Sequence, residues 1–190
     1  MHESLRPIYT KYNESLKSLV SEIEGRLERF EEPLLENLMA QFDYVVLSLT
    51  EEDTEKKELY LSQANAYLDI AISNSYQYLI YALLQKIKVF KKRYGGKETI
   101  ENLSDGGHAG NFLSSEKTMK DEIRKGRQLN EIEAIEHYRN AYNACIEQEK
   151  IIEKLPLAKL TSSKGSIGWT IIGMILSIVI SIFAGIIVEL

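Results

Sequence analysis

The feature that most constrains the fold of this chain is an uncharged apolar run over residues 167–188. As a helix, a run of about 22 residues is ~33 Å long, which matches the hydrocarbon thickness of a bilayer. The alternative is a helix buried in a soluble domain, but such a helix normally carries a polar stripe, and this run has none. The run therefore predicts a transmembrane helix at 167–188.

The residues around this run predict how it is oriented. Four lysines precede it and no basic residue follows it: Lys150, Lys154, Lys159 and Lys164. Trp169 lies one turn inside the run, where an interfacial aromatic residue is expected. Residues 1–16 lack the apolar stretch of a secretory signal. We therefore expect a tail-anchored, single-pass protein of the cell inner membrane, with residues 1–164 in the cytoplasm.

The composition excludes several classes of protein. Apolar residues make up 44% and charged residues 27%, and the net charge is −5, so neither a disordered chain nor a general nucleic-acid binder is indicated. The single Cys145 and three scattered histidines match no zinc spacing, and no Gly-rich nucleotide loop occurs. We interpret Cys145 as a buried structural thiol and His137 as a hydrogen-bonded core residue. We expect no enzymatic activity, no cofactor and no metal.

Apolar residues recur at spacings of three and four along most of residues 1–155, which is typical of amphipathic helices. Four helices are predicted, at about 3–30, 33–49, 50–94 and 115–155, the last two being long. The fold class is therefore all-α: a cytosolic antiparallel helical bundle (1–155), a linker (156–166) and one C-terminal transmembrane helix. In the second helix, five residues are expected to face the core: Leu35, Leu38, Phe42, Val45 and Leu49.

Polar residues and glycines predict where these helices begin and end. Thr50 and Asp53 resemble a capping box at the start of the third helix, and Gly95 with Gly96 is expected to end it. Residues 95–115 hold several glycines and are predicted to be a loop, with Ser114 or Ser115 capping the fourth helix. Because an antiparallel pair is joined at one end, this loop is expected at the membrane-distal tip.

Basic residues crowd the end of the third helix and the start of the fourth. An antiparallel pairing is expected to bring them together as a site for a phosphate-bearing anion: Lys88, Lys91, Lys92, Arg93, Lys97, Lys120, Arg124 and Arg127. Basic residues near a helix N-terminus conflict with the helix dipole, which suggests that an anionic partner compensates them. The alternatives are a solvated basic face and a contact with acidic residues of another subunit.

Small residues form one face of the predicted transmembrane helix: Thr170, Gly173, Ser177, Ser181, Ala184 and Gly185. Such a face lets helix backbones approach closely in lipid, so we expect a homo-oligomer. The face could be a packed dimer seam, or the inner lining of a pore in a ring of helices.

The combination of the 167–188 span with the basic cluster at 86–127 resembles the membrane effectors of bacterial anti-phage systems of the CBASS and Hailong types. In those systems, a nucleotidyltransferase makes a nucleotide signal that acts on a membrane protein, which then depolarises or permeabilises the cell. The resemblance concerns the layout of the whole chain and implies a nucleotide or oligonucleotide ligand and a partner synthase.

The sequence therefore favours an oligomeric membrane effector, a ligand-gated pore or a membrane-disrupting protein controlled by an anionic, nucleotide-like signal. The alternative is a passive tail-anchored adaptor that holds a protein partner at the membrane and conducts no ions.

Overall fold

The computed structural model describes residues 3–27, 31–95, 97–103 and 108–155. A 3-10 turn (Glu3–Leu5), α1 (Arg6–Lys11), a π-helical turn (Tyr12–Leu16) and α2 (Lys17–Leu27) follow one another without a break. Then come α3 (Glu32–Thr50), α4 (Thr54–Tyr94), α5 (Lys97–Leu103), α6 (His108–Gly126) and α7 (Ile135–Lys154). These ranges contain no strand, which confirms the all-α class. The helices belong to one compact unit, Met1–Glu153.

Two predicted segments lie outside the described residues: the linker, 156–166, and the transmembrane helix, 167–188. Among the helices that the structure describes, none is long and apolar enough to cross a membrane. The predicted span therefore stays a prediction.

The core is built around α4, which has 41 residues and is therefore about 60 Å long. Buried residues lie on more than one side of this helix, among them Leu68, Ile72, Leu79, Ile80 and Ile87. The helix ends as predicted: Gly95 is left-handed, with φ of 81°, and its backbone N–H donates to the Lys91 carbonyl at 3.0 Å.

The start of α4 differs from the prediction by one turn. Asp53 is the N-cap, and its Oδ1 accepts hydrogen bonds from the backbone N–H groups of Glu55 (2.9 Å) and Lys56 (3.2 Å). Thr50 is still in α3, where its hydroxyl donates to the Val46 carbonyl at 3.3 Å. The predicted capping box at Thr50 is therefore wrong, because Asp53 itself supplies the capping oxygen.

The predicted loop at 95–115 is mostly helical. It contains α5 and the first eight positions of α6, which begins at His108. Ser114 and Ser115 lie inside α6 and cap nothing. The many glycines of this region thus do not prevent helix formation, since Gly110 has open space around it and a helical glycine there costs only about 1 kcal/mol.

The predicted fourth helix is in fact two helices, so α4 is the single long helix of the described residues. α6 ends at Gly126, where an added Cβ would lie 2.9 Å from Cε1 of Tyr138. In the turn that follows, Oδ1 of Asn130 accepts hydrogen bonds from the N–H groups of Ile132 (3.1 Å) and Glu133 (3.0 Å). A close-packed glycine and an Asn turn thus reverse the chain before α7.

Side-chain contacts give the direction of each helix. On α4 and α7, Tyr76 accepts from Arg139 (3.2 Å) and Lys86 pairs with Glu149 (2.7 Å), so the two helices run parallel. Lys91 of α4 pairs with Glu116 of α6 at 2.7 Å, while Leu84, earlier on α4, lies beside Ile123 and Arg124, later on α6. The helix α6 is therefore antiparallel to α4. The ends of α4 and α7 therefore lie at one end of the bundle, here called the exit end.

This arrangement corrects the predicted position of the 95–115 region. With a single fourth helix, that region was expected at the end of the bundle opposite the chain exit. The extra reversal at 127–134 puts it at the exit end instead, because Lys86, near the end of α4, also contacts Glu153, the penultimate residue of α7, at 3.2 Å.

The second helix was expected to bury Leu35, Phe42 and Leu49, and this expectation is wrong. All three side chains are exposed, whereas Leu34 and Ser48 are buried and Leu38 and Val45 are partly buried. The helix is apolar on nearly all sides, so its period did not reveal which side faces the core.

We expect Gly126→Ala to lower the free energy of unfolding by about 1–3 kcal/mol, since the new methyl group overlaps the buried Tyr138 ring. Gly25→Ala is the matched control. Gly25 lies inside α2 with no neighbouring atom within 4 Å of the added carbon, so this change is expected to stabilise the protein by about 0.5–1 kcal/mol. Thermal unfolding of the full chain in detergent measures both, and equal shifts for the two variants would contradict the close packing at Gly126.

Candidate functional site

The candidate site was predicted from eight basic residues, and the structure divides them into two sets. Lys88, Lys91, Lys92 and Arg93 lie in the last two turns of α4, at the exit end. Lys120 and Arg124 lie on α6, and Arg127 follows that helix. Lys97 begins α5, and its side chain is outside the described part of the chain.

One carboxylate brings two of these residues together. The Glu116 side chain accepts from Lys91 Nζ at 2.7 Å and from Lys120 Nζ at 2.6 Å. Burial raises the pKa of Glu116, but the hydrogen bonds from Lys120 and Lys91 outweigh it, so the pKa is lowered overall. The carboxylate is therefore ionised at neutral pH and offsets much of the positive charge of this pair.

Arg124 is also neutralised within the chain, by Asp121 at 3.1 Å. With Lys120 and Arg127 it borders a mainly apolar groove formed by Leu84, Met119 and Ile123. The groove lies about 10 Å along α4 from Lys91, since seven residues at 1.5 Å each separate Lys91 from Leu84. The eight residues therefore do not converge on one point.

Three of the eight form a group that we call the terminal basic group: Lys88, Lys92 and Arg93. Their side chains are exposed and, among the described residues, none of them makes an ion pair or a side-chain hydrogen bond. Lys88 and Lys92 are one turn apart on the same face of α4, and Arg93 lies over the Tyr94 ring at 5.5 Å. This group and Arg127, which is likewise exposed but lies beside the α6 groove, are the parts of the predicted site that make no ion pair within the described residues.

The structure removes the conflict with the helix dipole that suggested a ligand. Because α6 begins at His108, Lys120 is in its interior and Arg124 is in its last turn, where basic residues are favourable. The terminal basic group is likewise at the C-terminal end of α4. The helix dipole therefore favours Lys92, Arg93 and Arg124 where they stand, and Lys120 is too far from the start of α6 to conflict with it.

The exit end also holds an ionic cluster that joins three helices around one buried carboxylate, that of Glu149. Glu149 of α7 accepts from Arg26 of α2 at 3.0 and 2.9 Å, and from Lys86 of α4 at 2.7 Å. Burial raises the pKa of Glu149, but the bonds from Arg26 and Lys86 lower it further than that, so the net pKa is lowered. This cluster ties the end of α7 to the rest of the bundle.

Two side chains considered for chemistry are in structural environments. Cys145 is fully buried, and burial together with the charge of Glu149 raises the pKa of its thiol to about 12, so it is protonated at neutral pH. Nδ1 of His137 lies 2.8 Å from Oε2 of Glu122, which makes it a hydrogen-bonded histidine that is partly exposed. The described residues contain no group of three or more side chains suited to hold a metal ion.

The predicted face of the transmembrane helix lies outside the described residues: Thr170, Gly173, Ser177, Ser181, Ala184 and Gly185.

A feature that the sequence reasoning missed is on α3. Its outward side carries five exposed apolar side chains at alternating spacings of four and three, here called the α3 stripe: Leu35, Met39, Phe42, Val46 and Leu49. The signal was present in the sequence, but it was interpreted as a face towards the core.

No protein-family model matches this chain, and neither a curated protein nor a solved structure matches it.

Proposed function

We propose that this protein is an oligomeric, single-span membrane effector of anti-phage defence, controlled by an anionic, nucleotide-like signal. The observation that carries the proposal is the uncharged run at 167–188, which has the length of a membrane span and a face of small residues. On this proposal the helical bundle lies on the cytoplasmic side of the inner membrane. The span assembles into a pore, or otherwise permeabilises the bilayer, when the signal binds.

The terminal basic group is the proposed ligand site. It offers three exposed cations that have no ion-pair partner in the described part of the chain. A phosphate-bearing ligand would gain charge-assisted hydrogen bonds there. Its position supports coupling to the span, because Lys86 lies on the same stretch of α4 and contacts Glu149 and Glu153 near the end of α7.

Gating requires two states of the bundle that the ligand distinguishes. A shift from almost closed to almost open needs a difference in binding free energy of about 5 kcal/mol between the two states. Ligand contacts that form in only one of the two arrangements of the bundle would supply such a difference.

The site is tested with a fluorescein-labelled trinucleotide and the full chain in detergent. We expect the triple variant Lys88→Gln, Lys92→Gln, Arg93→Gln to bind at least tenfold more weakly, with a smaller dependence on salt. The control removes three exposed cations elsewhere, by Arg6→Gln, Lys17→Gln and Lys56→Gln. It is expected to bind within twofold of the unmodified chain, and equal weakening by both variants would contradict the site.

The second candidate function is a passive tail-anchored adaptor, and the α3 stripe favours it, because an exposed apolar face of this size marks an interaction surface. Membrane potential in cells that express the full chain distinguishes the two functions. An effector is expected to depolarise the cells when the signal is present, whereas an adaptor leaves the potential unchanged.

A further inference from the structure

The α3 stripe is an unusual surface for an isolated bundle. Met39 is 68% exposed and Phe42 is 63% exposed, with Leu35, Val46 and Leu49 each close to half exposed. The core contacts of α3 are made by Leu34, Leu38 and Val45, which lie on the adjoining side of the helix. An exposed apolar stripe of this length is typical of an interaction surface.

The spacing of the stripe indicates what kind of partner fits it. From Leu35 to Leu49 the apolar residues are four, three, four and three positions apart, which is the 3.5-residue period of a coiled-coil seam. A helix that packs along such a seam inserts its own apolar side chains between these five. An α-helix with the same spacing is therefore the complementary surface, and α3 of a second copy has it.

The stripe continues into a groove between α3 and the N-terminal helices. Phe42 lines this groove together with Leu38, Tyr9 and Tyr12, and both tyrosines are exposed. The exposed parts of the five stripe residues and the two tyrosines amount to roughly 700 Å², within the range of about 600–1,000 Å² that one partner contributes to a standard-size interface. The apolar surface is thus large enough for a stable dimer.

We propose that the α3 stripe is a self-association surface, on which α3 of a second copy packs in parallel about a twofold axis. An antiparallel pair centred on Phe42 would bring the two Asp43 carboxylates against each other, and like charges in contact are unfavourable. A parallel pair also sends both α7 ends in the same direction. This second argument rests on the proposed function, since two spans that enter one bilayer need it.

A lipid surface is a poorer partner for the stripe than a second copy. Glu32, Glu36 and Asp43 flank the stripe, and the anionic surface of a cytoplasmic leaflet repels acidic residues.

The test is disulfide cross-linking, in membranes of the expressing cells, of variants of the full chain that each carry one added cysteine. Cysteine replaces each stripe residue in turn: Leu35, Met39, Phe42, Val46 and Leu49. The native Cys145 is buried, so the unmodified chain gives the background. Val89→Cys is the control, because Val89 is as exposed (61%) but lies on the outer side of α4.

In a parallel pair every stripe residue faces its own copy, so all five variants are expected to give at least fivefold more cross-linked dimer than Val89→Cys. Dimer from Phe42→Cys alone would overturn the parallel arrangement. Dimer no higher than in the Val89→Cys control would overturn the self-association surface, as would adducts with a different protein.

A second variant separates this surface from the span. Met39→Glu added to Val46→Cys is expected to reduce the cross-linked dimer at least fivefold, with unchanged helical content by circular dichroism. Cross-linking that persists in the presence of Ser177→Leu and Ser181→Leu supports the α3 surface even if the proposed pore is wrong. Cross-linking that disappears with those two changes would overturn it as an independent surface.

Discussion

Replacement of Glu149 by Gln is expected to lower the free energy of unfolding by about 2–4 kcal/mol. The reason is that the change removes a buried carboxylate while the two cations that bind it remain in place. Arg26 and Lys86 both donate to this carboxylate, and Glu149 is only 7% exposed. The three helices that meet there, α2, α4 and α7, would lose a shared contact. Thermal unfolding of the full chain in detergent measures the change, which corresponds to a fall in Tm of about 5–15 °C.

Glu153→Gln is the matched control for this prediction. Glu153 also pairs with Lys86, at 3.2 Å, but its side chain is 59% exposed. An exposed ion pair contributes little to stability, so Glu153→Gln is expected to lower the free energy of unfolding by less than about 1 kcal/mol. Equal decreases in the free energy of unfolding for the two variants would contradict the burial of the Glu149 carboxylate.

The effect of Glu149→Gln depends on pH in a direction that follows from the lowered pKa. A carboxylate whose folded pKa lies below its unfolded pKa of about 4.3 adds stability above that value, and this stability is lost as the pH falls through the folded pKa. The difference in the free energy of unfolding between the unmodified chain and the variant is therefore expected to be largest near pH 7 and to become smaller below about pH 4. A difference that does not change with pH would contradict this assignment.

The double change Ser177→Leu and Ser181→Leu is expected to abolish depolarisation of expressing cells, with at least a tenfold lower response. Leucine side chains would separate helix backbones that the small residues allow to approach, and they would remove the polar lining of a pore. Val179→Leu with Phe183→Leu is the control, because it places the same side chains on the opposite face of the predicted helix. An unchanged response in the serine variant would contradict the role of this face.

The positions of the helices were predicted from the sequence better than the surfaces against which their apolar faces pack. The period of apolar residues located α2, α3 and α4, because a helix needs an apolar side wherever it is buried. It did not show whether that side meets the core of the same chain or another molecule. In α3 the residues with the clearest period, Leu35, Phe42 and Leu49, are exposed. The period of apolar residues identifies an apolar face of a helix, but it does not identify the surface against which that face packs.

The division of the fourth helix had the largest consequence among the missed features. Gly126 and Asn130 are ordinary residues of a polar stretch, and their roles depend on the Tyr138 ring and on the turn that follows. These are tertiary contacts, which the local sequence does not display. Once the chain reverses there, α7 runs parallel to α4, and the exit of the chain moves to the other end of the bundle.

The candidate site was predicted from the density of basic residues, and density does not reveal pairing. Lys91 and Lys120 are far apart in sequence, yet both bind Glu116, a residue that the reasoning from the sequence did not consider. The exposed residues Lys88, Lys92 and Arg93, which lie together at the end of α4, are the part of that prediction proposed for a test by ligand binding.

The most direct test of a self-assembled membrane effector is the mass of the full chain in detergent, measured by light scattering and corrected for bound detergent. A discrete assembly of four or more copies of the 21.7 kDa chain is the expected result. A monomer would contradict both the pore formed by the span and self-association through the α3 stripe.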